Sequence, residues 1–307
     1  MKPGVVRPLI FLSYRDDNDG YGKGPRDALF VAFYVLVLFC VREFLMGEVL
    51  RPLGRVLGIN NNDDKTVGRF AEQMYVAVYT GITAPVGAWV YSTYYTHPSS
   101  PSSQSQSLHF SDPHILYASY PFKAHPSALT KAYYLLQAAF WAQQVLVMAL
   151  GLETRRKDFK ELVVHHCVTV ALVGLSYRFH FTVLGTLVFV THDASDFWLA
   201  ISKSLNYLSH PLQLPSYAVC VAAWIYLRHY VNIRILYFAV LKDFRVVGAF
   251  SMAPDWEAGQ FKCAVSQGVI FVLLVALQGL NVYWLGCLLR NAWRFVKRGI
   301  IGDDREE

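Results

Sequence analysis

The sequence predicts an all-α, polytopic membrane protein with about seven transmembrane helices, for three reasons. Of its 307 residues 54% are hydrophobic and only 16% are charged, which disfavours a soluble chain, and the mean hydropathy of +0.29 agrees. The apolar residues gather into runs of about 20 lacking charge, the length that crosses hydrocarbon as a helix. Lys and Arg lie mainly at the edges of those runs, so the net charge of +6 fits membrane topology rather than nucleic-acid binding.

In chain order the runs are Ala28–Met46, Phe70–Tyr91, Leu129–Leu150, Leu162–Tyr177, Phe181–Leu199, Tyr217–Val240 and Val265–Trp293. The fourth is short and the fifth contains charges, which is where function is expected. Met1–Arg26 is polar and Gly-rich with no cleavable signal, so the first run is expected to act as the targeting signal. Ser99–Ser107 reads as a low-complexity loop with nothing to bury, and Lys242–Lys262, with Pro254 and Trp256, as a partly ordered connection. Cys40, Cys167, Cys220, Cys263 and Cys287 show no CxxC spacing and are expected to be small core hydrophobes rather than disulfides or zinc ligands. The basic residues Arg155, Arg156, Lys157, Lys160, Arg290, Arg294, Lys297 and Arg298 place one set of ends, the C-terminus among them, on the expected cytosolic side, with the N-terminus luminal.

Ionisable groups in hydrocarbon cost several kcal/mol, so they persist where they pair, face a cavity or act on a substrate. His165, His166, Asp193 and Asp196 lie in the fourth and fifth runs, which are joined by a turn at Arg178–His180 and must be antiparallel. His165 lies fourteen residues before Phe179 and Asp193 fourteen after it. The two pairs therefore meet at one depth, roughly 20 Å from the turn at 1.5 Å per residue. Asp193 and Asp196 share a helix face, whereas His165 and His166 diverge by about 100°, so only one is expected to point fully into the site. His192 is an i,i+4 neighbour of Asp196, and Lys203 and Asn206 continue that stripe.

This constellation suits acyl transfer. A neutral imidazole serves as nucleophile or base, a carboxylate fixes its tautomer, and a second carboxylate holds an incoming amine. Arg155, Arg156, Lys157 and Lys160 precede His165 where a phosphate-bearing acyl donor needs cations; a purely topogenic role for them is the plain alternative. Lys203 and Asn206 could equally snorkel and cap. Iron or zinc is the chemical rival, but di-iron membrane enzymes use HxxH clusters, and His97, His109, His114, His125, His210 and His229 are scattered. Ser195 lacks a GxSxG elbow and reads as a packing residue.

The segment from His165 to Tyr207 resembles the Lag1 motif of ceramide synthases. Its signature is read here in His165-His166, Thr169, Ser176-Tyr177, Asp193-Ala194-Ser195-Asp196 and Lys203-Ser204-Leu205-Asn206-Tyr207. Lys131–Gln144 and Ala276–Arg294 are weaker family-like stretches, so the resemblance implies a TLC domain over 67–297, preceded by a tail and first span (1–66) and followed by a short acidic tail (298–307). It implies an endoplasmic-reticulum enzyme joining a fatty acyl group from acyl-CoA to a sphingoid base, with catalytic His165, His166, Asp193 and Asp196. His165 would be acyl carrier or base, Thr169 and Tyr207 would join the substrate site, and no cofactor would be needed beyond acyl-CoA as substrate. The family's last luminal loop influences acyl length, which points to Phe250–Phe261. The short first connection and short tail resemble a fungal branch. A homo- or hetero-oligomer is compatible with this reading. The rivals are a non-enzymatic TLC-domain protein, expected to have lost the His or Asp pair, and a proton-coupled transporter, expected to show repeats and broken helices; neither signature is present.

Overall fold

The computed structural model describes residues 3–17, 20–60, 62–93, 117, 120, 126–153 and 157–298. Among them there is no strand, only three isolated bridges, and the chain is a bundle of long helices. A short helix α1 (Pro3–Ile10) precedes α2 (Arg26–Phe44), which runs through a π-helical turn (Leu45–Leu50) into α3 (Arg51–Val56). Then come α4 (Asp64–Thr93), α5 (Ala128–Ala149), α6 (Phe159–Arg178) and α7 (Thr182–Tyr207). The next rod is α8 (Gln213–Ala223), a π segment (Trp224–Val231), α9 (Asn232–Arg234) and a second π segment (Ile235–Lys242); α10 (Ala264–Arg298) ends the bundle.

Each apolar run thus lies along a rod that covers it to within one residue at either end. Three helices, Arg26–Val56, Phe159–Arg178 and Ala264–Phe295, are long and apolar enough to cross a membrane. The outward faces agree: Leu36, Ile82, Trp89, Val272, Val282 and Trp293 are exposed, far more apolar surface than a water-soluble fold presents. Inward, Phe181, Leu184, Leu187, Ile235, Leu274 and Leu277 form the largest core cluster, between α6, α7, the second π segment and α10.

Local chemistry sets the ends. Ser127 caps α5 by accepting the Thr130 amide at 3.3 Å. Gly151 ends it in the left-handed conformation (φ +64°), with Leu152 N–H closing on the Val147 carbonyl. The α6–α7 turn ends the same way with His180 as the left-handed residue (φ +65°), Phe181 N–H donating to the Ser176 carbonyl at 2.9 Å. The neighbouring Tyr177 carbonyl takes Lys23 Nζ at 2.9 Å.

Two expectations need correction. The N-terminal stretch is no mere tail: besides α1, residues 13–17 and 20–27 lie against α5 and α6, where Lys131 Nζ donates to the Ser13 and Gly22 carbonyls and pairs with Asp27. Among the cysteines, all free, Cys220 and Cys263 are buried, but Cys40 and Cys167 are exposed on faces that lipid would cover. The connection between Lys242 and Lys262 is ordered, with Asp255 and Gln260 exchanging backbone hydrogen bonds. The Ser99–Ser107 stretch and His97, His109, His114 and His125 lie outside the described residues.

Candidate active site

The site is built where α4 lies along α7 and α6 diverges from it. Thr83 precedes Pro85, a break in the α4 ladder, and Gly87 admits Tyr133 so closely that a Cβ there would collide with its hydroxyl. These close approaches bring three helices to Asp193. Its Oδ2 accepts Thr83 Oγ1 from α4 at 2.7 Å and Gln137 Nε2 from α5 at 2.5 Å. Gln137 is held in turn by the hydroxyls of Tyr79 and Tyr133, both at 3.1 Å. Asp193 is 2% exposed, so these donors stand in for nearly all the water its carboxyl group would otherwise meet.

Asp196 is anchored by Arg228, a buried guanidinium on the Trp224–Val231 π segment, at 2.5 Å. Arg228 also donates to Ser195 Oγ at 2.6 Å and Asn281 Oδ1 at 3.3 Å, and lies 4.0 Å from the centroid of the Trp224 ring. Ser195 therefore packs and anchors, as its sequence context suggests.

The hydrogen bonds resolved at the two carboxylates thus come from Thr83, Gln137 and Arg228, and the tautomer of His166 is fixed by backbone. His166 Nδ1 sits 2.8 Å from the Leu162 carbonyl, which can only accept, so Nδ1 carries the proton. His192 Nδ1 is placed likewise against the Val188 carbonyl at 2.9 Å. His165 differs. Its Nδ1 is buried and has no hydrogen-bond partner among the described residues. The ring is held edgewise by Trp141, Trp284 and His166 at centroid distances of 5.6, 5.2 and 5.6 Å.

Both histidines, rather than one, face the same cavity of about 230 Å³, because that cavity wraps the side of α6 on which Trp141 bridges them. Asp193, Asp196, Lys203, Asn206 and Tyr207 line it too, as do Glu72, Glu153, Trp284 and Arg228. A second, narrower and largely apolar cavity of about 50 Å³ begins at His165, Trp141 and His192 and runs between α6, α7 and α10 past Thr169, Leu172, Val188 and Leu274. His165 and Trp141 line both.

The basic cluster is placed differently from the expectation. Lys157 and Lys160 are exposed at the start of α6 and line neither cavity, whereas Asp158 is buried and accepts Trp284 Nε1 at 2.9 Å. Arg155 and Arg156 lie outside the described residues. Arg228, Gln137 and Thr83 were not singled out by sequence. A signal existed for Arg228 alone, a cation inside an apolar run. No group of three or more His, Cys, Asp or Glu among the described residues is arranged to hold a metal.

Buried His and Asp side chains meet at a cavity inside a helical bundle, three of whose helices are long and apolar enough to cross a membrane, which is the class of a helical membrane protein. The TLC-domain family model (TRAM, LAG1 and CLN8) matches residues 69–290, and the chain belongs to that family. It is 49% identical to a sphingosine N-acyltransferase-like protein of Gibberella moniliformis, over 97% of this chain and 75% of the relative. It is 40% identical to a sphingosine N-acyltransferase of Schizosaccharomyces pombe (99% and 75%) and 40% identical to a ceramide synthase of Saccharomyces cerevisiae (97% and 69%).

Proposed function

We propose that the chain is a ceramide synthase of the endoplasmic-reticulum membrane, transferring a fatty acyl group from acyl-CoA to the amine of dihydrosphingosine or phytosphingosine. The observation that carries the reading is His165, an imidazole with an unpartnered ring nitrogen at the junction of a larger cavity that carries charged and polar side chains and a smaller, almost wholly apolar one. A thioester bridging two such spaces puts its carbonyl at that junction, its hydrophilic donor in the first and its alkyl chain in the second. The fungal relatives named for this activity support the substrates.

In the first half-reaction a ring nitrogen of His165 attacks the thioester carbonyl. The N–C bond forms, the C–S bond breaks, and coenzyme A leaves, its sulfur taking the proton that the imidazole sheds. In the second, the deprotonated amine attacks the acyl-imidazole; the amide bond forms, the C–N bond to His165 breaks, and the imidazole recovers a proton from the amine. His166 is the supporting base. Asp193 and Asp196, preset by Thr83, Gln137 and Arg228, hold the ammonium and hydroxyls of the base and stabilise positive charge. Lys203, Asn206 and Tyr207 line the donor's cavity, and Thr169 the chain's; we assign Arg155, Arg156, Lys157 and Lys160 to the donor's phosphates on their charge alone. No cofactor enters this chemistry. The seven long rods all cross the membrane, with the C-terminus cytosolic, and the TLC domain spans about 67–297.

The test is purified protein with acyl-CoAs of graded length and dihydrosphingosine, beside His165→Ala and Asp196→Ala. Ceramide from the wild type and a loss of at least a hundredfold in both variants is expected. Product from neither protein nor any acyl-CoA would overturn the activity, and full activity in both variants would overturn the site. Intact mass after acyl-CoA exposure should show one acyl adduct, absent from His165→Ala.

A further inference from the structure

The apolar cavity has a built floor. From His165 on α6 to Ser176 is eleven residues, and from His192 on α7 back to Phe181 is another eleven, so the cavity runs roughly 16 Å along both helices. Across its far part lies Tyr134, 1% exposed, reaching over from α5. Its hydroxyl hydrogen-bonds Ser176 Oγ, which donates onward to the Leu172 carbonyl at 2.6 Å. The same hydroxyl lies over Gly185 on α7, where a Cβ would collide with it. The ring is packed by Tyr177 and Phe189 at 5.7 and 5.2 Å. One side chain thus ties three helices together across the end of the channel.

We infer that Tyr134, latched on Ser176 against Gly185, sets the longest acyl chain the protein accepts; the inference rests on the acyl transfer proposed above. A chain anchored at His165 and extended between α6 and α7 brings its far end against this ring, one of the side chains that line the cavity. The connection containing Phe250–Phe261 sits behind the floor rather than in it. Phe261 packs on Phe179 at 5.1 Å, and its amide donates to Tyr120, whose ring stacks on Phe181 at 5.5 Å. That connection reaches the channel through Phe181, whereas Tyr134 lines it directly.

The test is competition among an even-numbered series of saturated acyl-CoAs, read by mass spectrometry as the ratio of long- to short-chain products. Tyr134→Ala and Tyr134→Leu are expected to move the cutoff to longer chains, by roughly fourfold in the ratio for each methylene newly housed. Leu172→Phe, narrowing the channel above the floor, is expected to move it to shorter chains. An unchanged cutoff in whichever Tyr134 variant is active overturns the inference. Should both be inactive, an unchanged cutoff in Leu172→Phe overturns it. A wild type that makes no N-acyl product from any chain length fails the functional reading instead, which separates the two failures.

Discussion

Two clusters of buried ionisable groups lie along α5 and α6, one mid-bundle and one at the N-terminal end of α5, and they differ in how completely they are paired. At the end, Lys131 is fully buried, and its ammonium takes the Ser13 and Gly22 carbonyls and Asp27 Oδ1 at 2.9, 2.6 and 2.7 Å. All three of its hydrogens are spoken for. Asp27 accepts the Gly24 amide and the Tyr177 hydroxyl, both at 2.9 Å. In mid-bundle, Asp193 and Asp196 are equally well anchored, but His165 Nδ1 is left without a partner and the ring borders two cavities. Burial of charge alone does not mark function; a buried group kept unsatisfied beside open space is a candidate, and His165 shares that state with His192 Nε2 and Trp141 Nε1 on the same cavities.

The sharpest way to break that contrast is His165→Ala against Lys131→Met. Removing the imidazole should lower N-acyl transfer by two to four orders of magnitude. A loss under tenfold would place the chemistry elsewhere. Arg228→Met comes next. It strands Asp196 and Ser195 together, and a fall of about tenfold to a hundredfold in kcat/KM is expected, with Arg228→Met/Asp196→Leu no worse than Asp196→Leu alone because Arg228 acts through that carboxylate. Strictly multiplicative losses would show that the two act separately.

Lys131→Met tests the other cluster. Breaking a buried pair by removing one partner costs about 3–5 kcal/mol, so thermal melting in detergent should drop by several degrees. Turnover per folded molecule should stay within about twofold of wild type. A collapse of turnover with melting unchanged would make this cluster part of the chemistry, and the distinction between the regions would fail.

What sequence could reveal follows from where the partners lie in the chain. The rods were legible because hydrocarbon demands long runs without charge, and the meeting of His165 and His166 with Asp193 and Asp196 was legible because one short turn fixes their relative depth. Gln137 and Thr83 were not, since nothing local shows that α4 and α5 deliver them to Asp193; that depends on Gly87 and Pro85 shaping α4. Arg228 obeyed the same rule that singled out the histidines, an ionisable group in an apolar run, yet its partner is 32 residues away on another helix. The N-terminal stretch reads as a polar Gly-rich tail because the lysine that organises it, Lys131, lies more than a hundred residues downstream.

Lys23 sharpens the contrast most gently, since it belongs to the paired cluster but is imperfectly paid in hydrogen bonds. Its ammonium donates to the Tyr177 carbonyl at 2.9 Å and to His180 Nδ1 at 3.1 Å, with the Tyr177 ring below. Burial first, then the nearby Lys131 charge and Arg178, lower it from 10.5 to about 7, with Asp27 opposing. Below about pH 7 both folded and unfolded chains hold this proton, and the full cost of burying the charge is present. Between about 7 and 10.5 the unfolded chain keeps a proton that the folded one has shed, so this group's contribution to stability improves as pH rises. Lys23→Met removes the buried charge, so it should raise the melting temperature most at pH 6, with the gain shrinking by pH 9. An equal gain at both values would mean that Lys23 does not titrate in this window.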